Sequence, residues 1–134
     1  MNHFELNSDM TTMSGVFYPT GHMVLMFPSE QDARDAEHKL EEDGVLAEKI
    51  TRLTPAIVQG QIAGTVGTDD NPLPSAGTEA DTVRRFAELA GKGHHGLMIN
   101  APDGEETAHI MEVLKGCPIA DAQKYRTLVI KDLG

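Results

Sequence analysis

The sequence has no tryptophan, two tyrosines, four phenylalanines and one cysteine, and its 11 Lys and Arg are outnumbered by 21 Asp and Glu. Each shortage closes off a class of protein. One cysteine, Cys117, forms no disulfide within the sequence, so a disulfide-stapled scaffold is excluded and a reducing compartment is expected. No apolar run approaches the roughly 18 residues of a membrane span. Residues 1–14 lack a basic stretch followed by an apolar one, so no secretory leader is expected. These absences together predict a cytoplasmic protein with no membrane partner. The net charge of −10 repels phosphate backbones, which makes nucleic acid an unlikely partner. The one basic run, Lys124, Arg126 and Lys131, is thin.

What remains is ordinary globular material. Hydrophobic residues make up 40% of the 134 and charged ones 24%, enough for a core without metal or disulfide support. A single domain over 1–134 is expected, with a first βαβ unit at 16–53, a helical insertion at 54–91 and a second βαβ unit at 92–134. Residues 1–15 read as polar and loosely held, and Val16-Phe17-Tyr18-Pro19 as a short apolar patch.

The run His22-Met23-Val24-Leu25-Met26-Phe27, between Gly21 and Pro28, predicts a buried strand. Ser29 then caps a helix with Asp32 at its third position, Ala33, Ala36 and Leu40 as its apolar stripe and Gly44 as its stop. Lys49 to Leu53 is a second strand. Thr54-Pro55 opens a short helix to Ala63, weakened by Gly60. Gly67 to Gly77 reads as a loop. A helix from Glu79 to Ala90 follows, capped by Thr78 and stopped by Gly91. Gly96 to Ala101 is a strand, Asp103 with Glu106 caps the next helix, and Ala108, Ile110, Met111 and Leu114 form its apolar side. Gly116 ends it, and Gln123 to Ile130 is the last strand.

The opening and closing thirds align station by station. Pro28 falls on Pro102, Ser29 on Asp103, Asp32 on Glu106, Ala36 on Ile110 and Leu40 on Leu114. This predicts a βαβ unit used twice. The expected fold class is α+β: a ferredoxin-like split βαβ duplication, with an antiparallel four-stranded sheet and an inserted helical segment between the repeats. Met23 to Phe27, Leu97 to Ile99 and Leu128 to Ile130 are apolar without alternation, so both faces of the sheet should be covered. The inserted helices, the N-terminal segment or a second copy could supply the second cover; a homodimer through a sheet face is expected by fold analogy.

The stretch Met23 to Gly44, with Pro28-Ser29-Glu30-Gln31-Asp32-Ala33 opening its helix, resembles small bacterial general-stress proteins, and Gly96 to Gly116 resembles their second half. The resemblance covers about half of the chain. It implies a stress-associated or regulatory role and brings no catalytic residues.

The chemistry-bearing side chains form no clear constellation. His94, His95 and His109 are weak candidates for a metal site, since imidazole suits zinc. However, His94 and His95 should start a strand at the end of the sheet opposite His22, and neighbours on a strand point to opposite faces. Cys117 follows a helix C-terminus, where the dipole disfavours a thiolate. Lys92 to Ile99 echoes the third strand of an RNA-recognition motif but lacks the stacking rings. Gly60, Gly64 and Gly67 lack a phosphate-loop lysine. The carboxylates lie along helix faces with no acid–base pair, and Met23, Met26, Met98 and Met111 read as core filling. No cofactor and no catalytic residue is indicated. The sequence thus predicts a non-catalytic binding or regulatory protein. The alternatives are a small-molecule sensor with its ligand between subunits, and a metal-dependent enzyme built on the histidines.

Overall fold

The strand His22–Phe27 (β1) has no solvent side: Met23, Val24, Leu25, Met26 and Phe27 are all fully buried. A strand points successive side chains to opposite faces, so this one needs cover above and below. The computed structural model, which describes residues 4, 17, 19–63, 77–125 and 130–132, has both covers.

The architecture is α+β. Five strands, β1, β2 (Ile50–Leu53), β3 (His95–Asn100), β4 (Asp121–Tyr125) and β5 (Ile130–Asp132), form one sheet in the order β2-β3-β1-β4-β5. Every neighbouring pair is antiparallel. On β1, His22 lies opposite Asn100 and Phe27 opposite His95, while Met23 and Met26 lie opposite Lys124 and Asp121 of β4. Thus β1 and β2 run the same way with β3 between them, and β3 and β4 run the same way with β1 between them. The expected last strand, Gln123 to Ile130, is corrected to two strands: β4 stops at Tyr125 and β5 pairs back onto it, with Tyr125 opposite Ile130. The sheet therefore has a fifth strand beside the four expected.

One face is covered by α1 (Glu30–Glu42) and α4 (Gly104–Val113). Ser29 Oγ accepts from the Asp32 N–H at 3.1 Å, and Asp103 Oδ1 accepts from the Glu106 N–H at 2.7 Å. Both anticipated caps are present. Ala33, Ala36 and Leu40 of α1, with Ile110 of α4 and the adjacent Leu114, pack on Met23, Leu25, Phe27, Leu97 and Ile99. The two strand starts also match: a ring nitrogen of His22 lies 3.0 Å from the Thr20 carbonyl, and that of His95 lies 3.2 Å from the Gly93 carbonyl.

The other face is covered from within the chain. Thr54 caps α2 (Pro55–Ile57), its hydroxyl accepting from the Ile57 N–H at 3.2 Å, and the chain continues as a π-helical turn over Val58–Ile62. Helix α3 (Gly77–Gly91) begins earlier than expected, so Thr78 lies inside it rather than at its cap. Val58, Ile62, Val83, Phe86, Leu89 and Ala90 pack with Phe4 and Phe17 against Val24, Met26, Leu53 and Met98. The apolar face on which a sheet-face homodimer was expected is covered by the chain's own helices and by Phe4 and Phe17. The expected loop at 67–77 falls, up to residue 76, outside the described residues, as do residues 126–129 and most of 1–15.

Lys124 is no surface cation. It is 4% exposed, and its ammonium donates to Thr107 Oγ1 at 2.8 Å and to the Ala101 carbonyl, tying β4 to the first turn of α4.

Gly96 marks the tightest place in the sheet. A Cβ there would stand 2.8 Å from Met26 Sδ and 3.2 Å from both the Leu25 carbonyl oxygen and Leu53 Cβ. The thioether can move aside, but the carbonyl belongs to the central strand. Gly96→Ala is therefore expected to destabilise by about 1–3 kcal/mol, as overpacked cores do. Gly104→Ala, where a Cβ meets nothing within 4 Å at the start of α4, should be neutral or stabilise by up to about 1 kcal/mol. Urea denaturation of the two variants tests the contrast, and equal midpoints would refute it.

Candidate functional site

The connection from α1 to β2 sets up a concave feature that combines apolar and charged groups. Helix α1 ends at Asp43, and Gly44 adopts φ +99°, a left-handed conformation that strains any side chain. That turn lets the Val45 N–H donate back to the Leu40 carbonyl at 2.9 Å. Leu46 follows, and a short 3₁₀ turn over Ala47–Lys49 leads into β2. Leu46 is 57% exposed, the exposed large hydrophobic among the described residues.

Across from this connection lies α4. Glu106, His109 and Ile110 stand at i, i+3 and i+4 and so share one side of that helix. Between the two elements is a cleft of about 300 Å³ lined by Asp43, Gly44, Val45, Leu46, Lys49, Glu106, His109 and Ile110. Val45, Leu46 and Ile110 supply its apolar part. Two contacts tie its walls together: Lys49 Nζ donates to Glu106 Oε2 at 2.7 Å, and His109 Nε2 meets Asp43 Oδ2. All four of these side chains are partly exposed, so each contact is open to water and weak.

The three candidate histidines are not brought together. His109 lines the cleft, at the C-terminal end of α1. His95 is 3.5 Å from Glu30, at the N-terminal end of α1. A helix of that length puts the two ends about 20 Å apart. His94 sits half-buried in the turn between α3 and β3, its N–H donating to the Leu89 carbonyl at 3.1 Å and its Nδ1 buried without a hydrogen-bond partner. Cys117 is half-buried just beyond α4 and packs on the core. Among the described residues, no three His, Cys, Asp or Glu side chains are placed to hold one metal ion. Asp43, Lys49 and Glu106 were not among the expected site residues, Glu106 being expected only in the cap of α4; the E-x-x-H spacing of Glu106 and His109 and the Asp43-Gly44 helix end were the available signals.

No protein-family model, no curated protein and no solved structure matches this chain. The site is therefore argued from its own geometry.

Double-mutant cycles for Lys49–Glu106 and for His109–Asp43 should each give a coupling energy of about 0.2–1 kcal/mol, the range of exposed ion pairs. Leu46→Ser should leave stability within about 0.5 kcal/mol, since nothing buried is lost. Chemical denaturation measures both; a coupling well above that range would make the pairs structural clamps rather than parts of an accessible cleft.

Proposed function

We propose that this chain is a non-catalytic binding or regulatory protein of the cytoplasm, and that the cleft between the α1–β2 connection and α4 is where it binds a small ligand. The carrying observation is the cleft itself. Apolar residues and two pairs of charged groups line it, in a volume at the lower end of those that accommodate small molecules.

In the same reading the fold is a ferredoxin-like split βαβ duplication with the 54–91 segment as an insertion. Its supports are the strand order, the matched caps at Ser29 and Asp103, and the matched histidine contacts at the starts of β1 and β3. The reading makes no use of a sheet-face homodimer. A stress-associated role belongs to the proposal on the strength of the resemblance around Pro28–Ala33 and Gly44 alone.

A thermal-shift panel of small amines, amino acids, carboxylates and nucleotides tests it. A ligand at 100 times its Kd stabilises the native state by about 2.7 kcal/mol. At least one member should raise the midpoint of the native sequence and raise that of Leu46→Asp less. A panel without any shift, or with shifts indifferent to Leu46→Asp, would refute the cleft as the binding site.

A further inference from the structure

We infer that the cleft takes an aliphatic amine carrying two or more ammonium groups; the inference rests on the reading of the cleft as the binding site. The carboxylates of Asp43 and Glu106 are contributed from its two sides, with aliphatic Val45, Leu46 and Ile110 also in its lining. An alkyl chain would lie on those residues while an ammonium at each end meets a carboxylate.

The sign of the ligand follows from what surrounds the site. Glu105 and Glu112 stand four residues before and three after His109, on the exposed stripe of α4 beside the cleft. Glu41 and Glu42 occupy the last turn of α1 with one cation, Lys39, and the C-terminal end of a helix itself carries partial negative charge. An anionic ligand would enter against all of these. A cationic ligand is drawn in by them and by the net charge of −10.

The chain also shows which group the carboxylate accepts. Glu106 already holds an ammonium, that of Lys49, at 2.7 Å, and Asp43 holds the imidazole of His109. Both are partly exposed and exchange against water at little cost. A ligand amine can therefore take the place of Lys49 on Glu106 without leaving a buried charge unpaired. Two carboxylates favour two ammonium groups over one. The absence of Phe, Tyr and Trp from the lining argues against the aromatic cages that select quaternary ammonium.

The test is titration of the full chain at fixed ionic strength with 1,4-diaminobutane and spermidine, against n-butylamine and succinate, read by calorimetry and by backbone amide NMR. The expected result is that the polyvalent amines shift the amides of Gly44, Val45, Leu46, Lys49 and His109. Glu106→Gln and Asp43→Asn should each weaken binding about three- to tenfold, while Asp35→Asn, the same charge change elsewhere on α1, should not. Lys49→Ala should bind more tightly because the internal competitor is gone, and Lys115→Ala, the matched charge change, should not. Equal weakening by Asp35→Asn and Glu106→Gln would reduce the effect to diffuse attraction to an acidic surface and overturn the inference. So would n-butylamine binding as tightly as the diamine. If amines leave the cleft amides unmoved while another panel member shifts them, the ligand class is wrong and the cleft stands. If nothing shifts them, both readings fall.

Discussion

Burial of β1 on both faces is the constraint from which the rest of this structure follows. Five successive side chains without solvent access, Met23 to Phe27, require an apolar layer above the sheet and another below it. Helices α1 and α4 make one layer. The segment between β2 and β3, helped by Phe4 and Phe17, makes the other. Backbone pairing on both edges of β1, to β3 and β4, completes it. Few elements of the chain stand apart from this arrangement, and Gly96 of β3 shows how closely it is packed: opposite Met26 of β1 there is no room for a methyl group.

The cleft is a by-product of the same constraint. Because α1 and α4 share one face, the end of α1 is brought beside the middle of α4. Because α1 must hand the chain back to an edge strand, it ends in a left-handed glycine and a short connection whose apolar residues only half reach the core. Val45 packs against the buried cluster, whereas Leu46, its neighbour, faces outward. Charged side chains from both elements then meet across the gap. An exposed leucine in the lining of such a cleft is a feature that packing alone does not demand.

Much of the fold was legible in the sequence because local signals and the global pattern agreed. Ser29 and Asp103 cap as their side chains dictate, Gly44 and Gly116 adopt positive φ, and the unbroken apolar runs announced a sheet covered twice. The misses have physical causes. The last strand was read as one because Gln123 to Ile130 carries no Gly or Pro to mark where β4 gives way to β5. Lys124 was counted in a thin basic run because its buried partners, Thr107 and the Ala101 carbonyl, are distant in sequence. The cleft was harder still. His109 was noticed for its imidazole, but its partner Asp43 lies 66 residues away, and Lys49 and Glu106 are 57 apart. Two helices on one face were expected; which of their side chains would meet depends on where each helix ends, and periodicity does not resolve that.

The pairing of β1 also has a consequence for how the chain comes into being. On a ribosome β1 emerges before its hydrogen-bonding neighbours, which begin only at His95 and Asp121. At roughly 5–20 residues per second, the uncharged segment from Met23 to Phe27 waits several seconds or more with both edges unpaired. Helix α1 and the segment between β2 and β3 emerge during that interval and can shelter its faces, but neither can pair with its edges. Short, apolar, proline-free strands in that state are the kind that associate with one another. Synthesis from the N-terminus therefore leaves the edges of the strand on which everything else is assembled open until β3 and β4 are made, and the yield of native protein depends on what keeps those edges apart in the meantime.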